Sequence, residues 1–454
     1  MLSFLKFKKK DMNNKNSNVK CQMSNLLIIL LFLLWKTLDT WVLYLAEKII
    51  PYLGFFPYPR ELFDFGLPQV TSALANFDGI HYLKIASRGY GQWEQAYFPL
   101  YPLLIKLFTF VLKNELIAGL IISNVAFLIG VVVILNGFDK LTAGSVKDPV
   151  KTKSRRNASL DSSVVPPLAG LPQNDTGWWF TIFLLTFPTS FFFGAVYTEG
   201  LFFLLLVLTL YFLKKERYWL VGLFAILASL TRLIGVFLVI PIALHWLSLS
   251  FRRKHKLRFA RSFDSLRSLR MTVAAPFIGL GIYCLYLWQT TGDPFFFLSS
   301  QPVFGANRST NIILLPQVIW RYFKIFITAS HNFQYYISLF EFLVFSFVFT
   351  IVILSVTKNL AKRKYGLRPR SFVRLWRTQD DMKLGLDLFS LVNILLPTLT
   401  GTFSSIPRYA LFSLSFFIFL TEIKNKWIKI GIIIMFLILH IVTLGFFGQG
   451  YFIS

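Results

Sequence analysis

Apolar runs of about 18 residues or more recur from one end of this 454-residue chain to the other, and that recurrence narrows the fold further than anything else in it. Inside a bilayer no water is present to satisfy backbone N–H and C=O groups, so a run of that length must close its own hydrogen bonds as a helix. A transmembrane β-barrel would instead show segments of about ten residues with alternating polarity, and none is present. Composition agrees: 55% of residues are hydrophobic and 15% charged, with a mean hydropathy of +0.60. A soluble domain carries about a quarter charged residues. The fold class is therefore all-α and polytopic.

The formal net charge of +26 would point to nucleic acid in a soluble protein. Here the basic residues gather in short stretches between the apolar runs, at 6–20, 140–156, 214–217, 252–270, 358–383 and 424–429. No basic–aromatic stacking module accompanies them, so a nucleic-acid partner is not expected. Basic residues are retained on the cytoplasmic side, and their spacing reads as topology. Spans are expected at 26–46, 116–137, 178–196, 200–213, 219–230, 233–249, 272–290, 336–356, 384–403, 409–421 and 428–447, about eleven in all. With the N-terminus inside, this arrangement puts every basic cluster inside as well. Residues 99–112 are apolar but short, and are expected to lie in the interface.

The chain then divides into a basic cytoplasmic tail, 1–25, and one transmembrane domain, 26–454. That domain has a long first extracytoplasmic loop at 47–115 and a second at 291–330. Its cytoplasmic loops at 138–176, 251–271 and 358–383 are basic and aperiodic, as in insertions or disordered segments. The N-terminal apolar run is long and has no small-residue cleavage site, so it reads as a retained span rather than a removed signal. Cys21 and Cys284 support neither a disulfide framework nor a metal site, and five scattered histidines add no ligand set.

This topology collects the chain's unusual polar residues on the outer side. The segment 76–102, NFDGIHYLKIASRGYGQWEQAYFPLYP, is polar, charged and aromatic. Asp78 there either caps the helix-like run 79–87 or serves as a general base. Glu94 is either a solvated loop charge or a second acid of the site. His81 and Lys84 follow Asp78 by three and six residues, which puts all three on one helical face, and with Arg88 they offer contacts for phosphate. Tyr97, with Tyr82, Tyr90 and Trp93, gives this segment aromatic side chains to line a ligand site. Glu199 complements a helix N-terminus or orients an acceptor or a basic partner. Arg232 and Arg408 either snorkel at the interface or clamp an anionic phosphate with their guanidinium forks.

The first-loop segment, with its Asp-x-x-x-Tyr-Leu-x-Ile-Ala-x-x-Gly-Tyr order and the following Phe-Pro-x-x-Pro, resembles the first extracytoplasmic loop of the PIG-V family of GPI mannosyltransferases and their prokaryotic relatives. Three further blocks are similar to that family: FPTSFFFGAVYTEGLFFL at 187–204, SLTRLIG around Arg232, and SIPRYAL around Arg408. Phe77 stands where the family has Trp. The paired-acid motif of the protein O-mannosyltransferase branch is absent.

The resemblance implies a GT-C-type membrane glycosyltransferase that inverts configuration. It would move a sugar, mannose above all, from a polyprenyl-phosphate donor to a hydroxyl of a membrane-associated acceptor, with no cofactor. Asp78 would be the base, with Glu94 at a second acidic position and Arg232 or Arg408 on the departing phosphate. A bacterial plasma membrane, or the endoplasmic reticulum in a eukaryote, would house it. The rival reading is a transporter or flippase of a lipid-linked saccharide, which would carry midplane charges, broken helices and repeat symmetry. A non-catalytic membrane scaffold is the other alternative.

Overall fold

The structure, a computed structural model, describes residues 2–52, 54–142, 175–254, 263–304, 308–309, 311–365 and 378–453. Most of the three basic cytoplasmic loops expected from the sequence falls outside these residues. Among the described residues every regular element is helical.

In chain order the α-helices are α1 (Leu2–Ile49), α2 (Pro59–Phe63), α3 (Gln69–Ser72), α4 (Asp78–Arg88), α5 (Leu100–Leu112) and α6 (Glu115–Thr142). Next come α7 (Asp175–Thr186), α8 (Glu199–Lys214), α9 (Tyr218–Thr231), α10 (Val239–Lys254), α11 (Phe263–Thr291) and α12 (Phe296–Ser299). The last six are α13 (Leu315–Thr328), α14 (Phe333–Tyr365), α15 (Thr378–Thr398), α16 (Ile406–Ala410), α17 (Leu414–Thr421) and α18 (Lys426–Gly448).

Six helical stretches among the described residues are long and apolar enough to cross a membrane: Leu26–Ile49, Glu115–Leu135, Leu233–Ser250, Arg270–Thr291, Phe333–Ala361 and Lys426–Gly448. Several of them turn large apolar side chains outward, such as Leu34 and Trp41 of α1, Trp288 of α11 and Ile438 of α18. In a lipid solvent those exposed faces carry no penalty. The chain is a polytopic α-helical membrane protein in this sense.

Of the other helices expected as spans, α7, α8, α9 and α17 are shorter, while α15 is long enough but carries Asp381, Lys383 and Asp387. The 16 residues of α8 reach about 24 Å, less than the ~30 Å of a hydrocarbon core. Most of its side chains are buried and none is exposed, against α6 on one side and α9 on the other. A short or broken helix is tolerated at membrane depth only where protein, not lipid, surrounds it. Aromatic packing supplies that surround: Phe127 of α6 stacks on Phe193 with ring centroids 4.2 Å apart, and Phe202 meets Phe412 edge-on at 4.8 Å.

The expected span at 178–196 is the clearest departure. Helix α7 stops at Thr186, two residues before Pro188, which lacks the N–H to continue it. A 3-10 turn, Ser190–Gly194, follows, and an extended link leads into α8. Tyr197, Thr198 and Glu199, placed by the sequence on an outer turn, are thereby fully buried. Close approach of backbones holds this corner. A side chain at Gly200 would place its Cβ 2.4 Å from the carbonyl oxygen of Ser123 and 2.6 Å from that of Phe193. The short apolar segment 99–112 is present as α5, and the second long loop, 291–330, contains the helix α13.

Candidate active site

The segment 76–102 folds around α4. Phe77 takes a left-handed φ of 57°, a conformation that costs a bulky residue energy unless its surroundings hold it there. Its ring is held by Phe56, Phe447 and Phe452, at 5.3, 5.8 and 5.2 Å. Beside it, the Asn76 side-chain amide donates to the Phe447 carbonyl at 2.9 Å, and the Asn76 carbonyl accepts from the Tyr197 hydroxyl at 2.7 Å. These contacts aim Asp78, the first residue of α4. Its carboxylate does not cap the helix. Oδ2 accepts from Arg408 Nη1 at 2.7 Å, and Oδ1 accepts from the Tyr97 hydroxyl at 3.2 Å.

Behind Asp78 runs a buried relay of charge. Arg408 Nε lies 3.0 Å from Glu199 Oε1, an ion-pair contact whose alignment falls short of a directed hydrogen bond. The same Glu199 oxygen takes a short hydrogen bond from Arg232, which also donates to Thr198 Oγ1 at 3.0 Å. The order Asp78, Arg408, Glu199, Arg232 alternates in sign and sums to zero. Buried charges need this kind of pairing. Aromatic faces complete the enclosure: Arg408 lies over Tyr197 at 5.3 Å, and Arg232 lies over Tyr409 at 4.9 Å. Arg408 is carried on the short α16, whose entry is tied down by Thr189 donating to the Pro407 carbonyl at 2.7 Å.

Glu94 anchors a second cluster. Trp93, at φ 68°, turns the chain so that Glu94 Oε2 accepts the Gly91 N–H at 2.8 Å. Its other oxygen lies 3.2 Å from both His81 Nδ1 and Arg88 Nη2. His81 stacks on Tyr97, linking this cluster to Asp78. Lys84 pairs instead with Glu61 at 2.6 Å and lies over the Tyr58 ring.

These groups open onto a cavity of about 1300 Å³. Asp78, His81, Lys84, Arg88, Glu94 and Tyr97 line one side of it, while Arg321, Tyr322, Lys324 and Glu341 line another. Asp78 keeps 21% of its side chain exposed, whereas Glu199 is wholly buried. The sequence-derived residues thus converge on one region, but Glu199, Arg232 and Arg408 stand behind the wall. Among the described residues no three His, Cys, Asp or Glu side chains converge where a metal ion would sit.

Tyr322 and Glu341 were not singled out from sequence. The Tyr322 hydroxyl donates to Glu341 at 2.9 Å and accepts the Phe403 N–H at 2.9 Å. The signal for Glu341 was there to find: one carboxylate within an otherwise apolar stretch of spanning length.

The electrostatics of the two outer carboxylates follow from these partners. Burial alone would raise the Asp78 pKa. Arg408, by charge and hydrogen bond, outweighs it, helped by the charge of Arg308 and by His81, and holds Asp78 below the ordinary carboxylate value. Glu94 is treated the same way: burial pushes up, while the His81 hydrogen bond, the Gly91 N–H and Arg88 bring it below its usual value. Both are therefore ionised at neutral pH. Asp78 spends two of roughly four lone-pair positions on Tyr97 and Arg408, so it can still accept a hydrogen bond from a ligand in the cavity.

No family model matches this chain, and neither a curated protein nor a solved structure is similar to it.

Proposed function

We propose that this protein is a membrane glycosyltransferase of the GT-C type. It moves a sugar, mannose on the resemblance of its motifs, from a polyprenyl-phosphate donor to a hydroxyl of a lipid- or envelope-linked acceptor on the extracytoplasmic face, with inversion. The observation that carries this reading is a partly open, ionised Asp78 carboxylate on the wall of a cavity of about 1300 Å³, held in place by Arg408 and Tyr97. The eleven-span count adds α7, α8, α9, α15 and α17 to the six long helices; α8 and α17 are enclosed by protein, while α9 turns Trp219 and Leu223 outward.

In the reaction the acceptor oxygen forms its bond to the sugar's anomeric carbon as that carbon's bond to the phosphate oxygen breaks. The electron pair leaves with the lipid phosphate, and the acceptor's proton passes to Asp78. A carboxylate with a depressed pKa is a weak base. It suits a hydroxyl that becomes acidic only late, when its oxygen is already bonding to an electron-poor carbon. Arg408 keeps Asp78 ionised for that moment, and Glu199 with Arg232 keeps Arg408 in place.

The transporter reading draws support from two observations. The chain is broken between α7 and α8, and His440 Nε2 lies 2.8 Å from Asp39 Oδ1, both residues buried within membrane-crossing helices. Transfer of radiolabel from a panel of polyprenyl-phosphate sugars, with wild type beside Asp78→Asn, separates the two. Glycosyl transfer by the wild type that is lost in the variant, with donor binding retained, supports the enzyme. A variant as active as wild type removes Asp78 from the chemistry, and labelled lipid moved across vesicles without turnover favours transport.

A further inference from the structure

Helix α13 has two faces. Trp320, Phe323 and Ile327 form an apolar stripe at helical spacing and are 71%, 48% and 83% exposed, with Leu314 and Ile312 exposed just before it. An exposed stripe of that kind on a short amphipathic helix seats in a lipid interface. The other face, with Arg321, Lys324 and Thr328, lines the cavity. So one short helix joins the lipid surface to the cavity and brings two cations to the junction.

The charges around the cavity do not cancel. Asp78 is matched by Arg408, and Glu94 by Arg88 and His81. Arg321 donates to the Gly401 carbonyl at 3.3 Å, and Arg308 donates to Gln301 and Ser405, each at 2.9 Å. All three acceptors are neutral. Among the described residues no carboxylate lies within ion-pair distance of Arg308, Arg321 or Lys324. Arg308 already acts on Asp78, and Glu341, held by Tyr322, forms no ion pair with Arg321 or Lys324. Cations left unopposed at the edge of a cavity favour an anionic occupant, and a guanidinium fork fits the oxygens of a phosphate in pairs.

We propose that Arg321 and Lys324 on α13 bind the phosphate of a lipid-borne ligand whose chain lies along the apolar face of the same helix. Resting on the glycosyl-transfer reading, this ligand is the polyprenyl-phosphate donor. Its phosphate then enters beside α13, and its sugar points across the cavity toward Asp78. Arg232 and Arg408, committed to Glu199 and Asp78, are left to position the base.

The test measures binding of tritiated undecaprenyl phosphate to the purified full chain in detergent. Replacing both cations, Arg321→Gln with Lys324→Gln, is expected to weaken binding by about tenfold or more, the scale of charge-assisted hydrogen bonds to phosphate. The charge-keeping exchange, Arg321→Lys with Lys324→Arg, keeps one guanidinium and one ammonium at the junction and should bind more tightly than the neutral variant. Both side chains are exposed, so the neutral double variant is expected to fold, and its melting temperature checks that. Unchanged binding in the neutral variant would overturn the proposal. Displacement of the lipid by inorganic phosphate at equal concentration would overturn its lipid half, since the site would then read the anion alone.

The sugar-transfer assay keeps the two readings apart. Phosphate binding that depends on α13 without any sugar transfer removes the enzyme reading and leaves the anion site. Transfer by the neutral variant at the wild-type rate under limiting donor removes the α13 site and leaves the enzyme reading.

Discussion

At the scale of single residues, the arrangement depends on Arg408 serving two carboxylates at once. Its Nη1 reaches Asp78 and its Nε faces Glu199. Arg408→Ala would leave both acids short of a counter-charge in a buried setting, a loss of about 3–5 kcal/mol by analogy with other broken buried pairs. The expected result is a large fall in the thermal midpoint in detergent along with lost transfer. Arg408→Lys offers a point charge with no planar fork, so it should recover part of the stability and little of the activity. A full recovery of both would show that the bridging geometry is unimportant.

The pH dependence follows from the sign of the Asp78 shift. A folded-state pKa below the ordinary value of an aspartate means that the stabilisation from this pair is complete above the unfolded value and is lost as pH falls through the folded one. The acid limb of kcat/KM is therefore expected below about pH 4. A limb centred above about pH 5 would assign the essential base to another group.

At the scale of elements, the corner between the 3-10 turn and α8 determines whether Glu199 reaches the arginines. It depends on Gly200, where a methyl group would press on two backbone carbonyls that have no room to give. Gly200→Ala is expected to cost about 1–3 kcal/mol and to lower activity by shifting Glu199. A melting curve beside the transfer assay checks this, and an unperturbed variant would mean the corner relaxes easily. A second tie at this level joins α1, α18 and the 3-10 turn through His440, which contacts Asp39 at 2.8 Å and Ser190 at 3.1 Å.

At the scale of the whole molecule, the topology itself can be tested. With Cys21 and Cys284 replaced by Ser, Gln92→Cys should react with a membrane-impermeant maleimide added outside intact cells. Lys215→Cys should react only after permeabilisation, because the positive-inside rule assigns the basic turn between α8 and α9 to the inside. Both positions are exposed, so failure to label would not come from burial. The reverse pattern would invert the molecule and put the Asp78 cavity on the cytoplasmic side.

The polytopic helical class was legible in the sequence because a bilayer lets only one element satisfy its own backbone, and apolar length alone reports it. So was the distinctness of segment 76–102: Asp78, His81, Arg88 and Glu94 are costly in a chain this apolar unless they face water, a partner or a ligand, and all four line the cavity. Local spacing on α4 put Asp78, His81 and Lys84 on one side without any knowledge of the rest. Pairing across the fold lay beyond reach. Asp78 and Arg408 are 330 positions apart, and nothing local in either segment specifies that they meet. Burial of Glu199 was equally hidden, since hydropathy places a lone acid at a surface turn unless two distant arginines are known to enclose it. The helix break at Pro188 was visible as a proline, but whether it kinks a span or ends one depends on what packs around the freed backbone. Sequence decides what is local and periodic. Contacts between distant side chains are decided only when the helices pack.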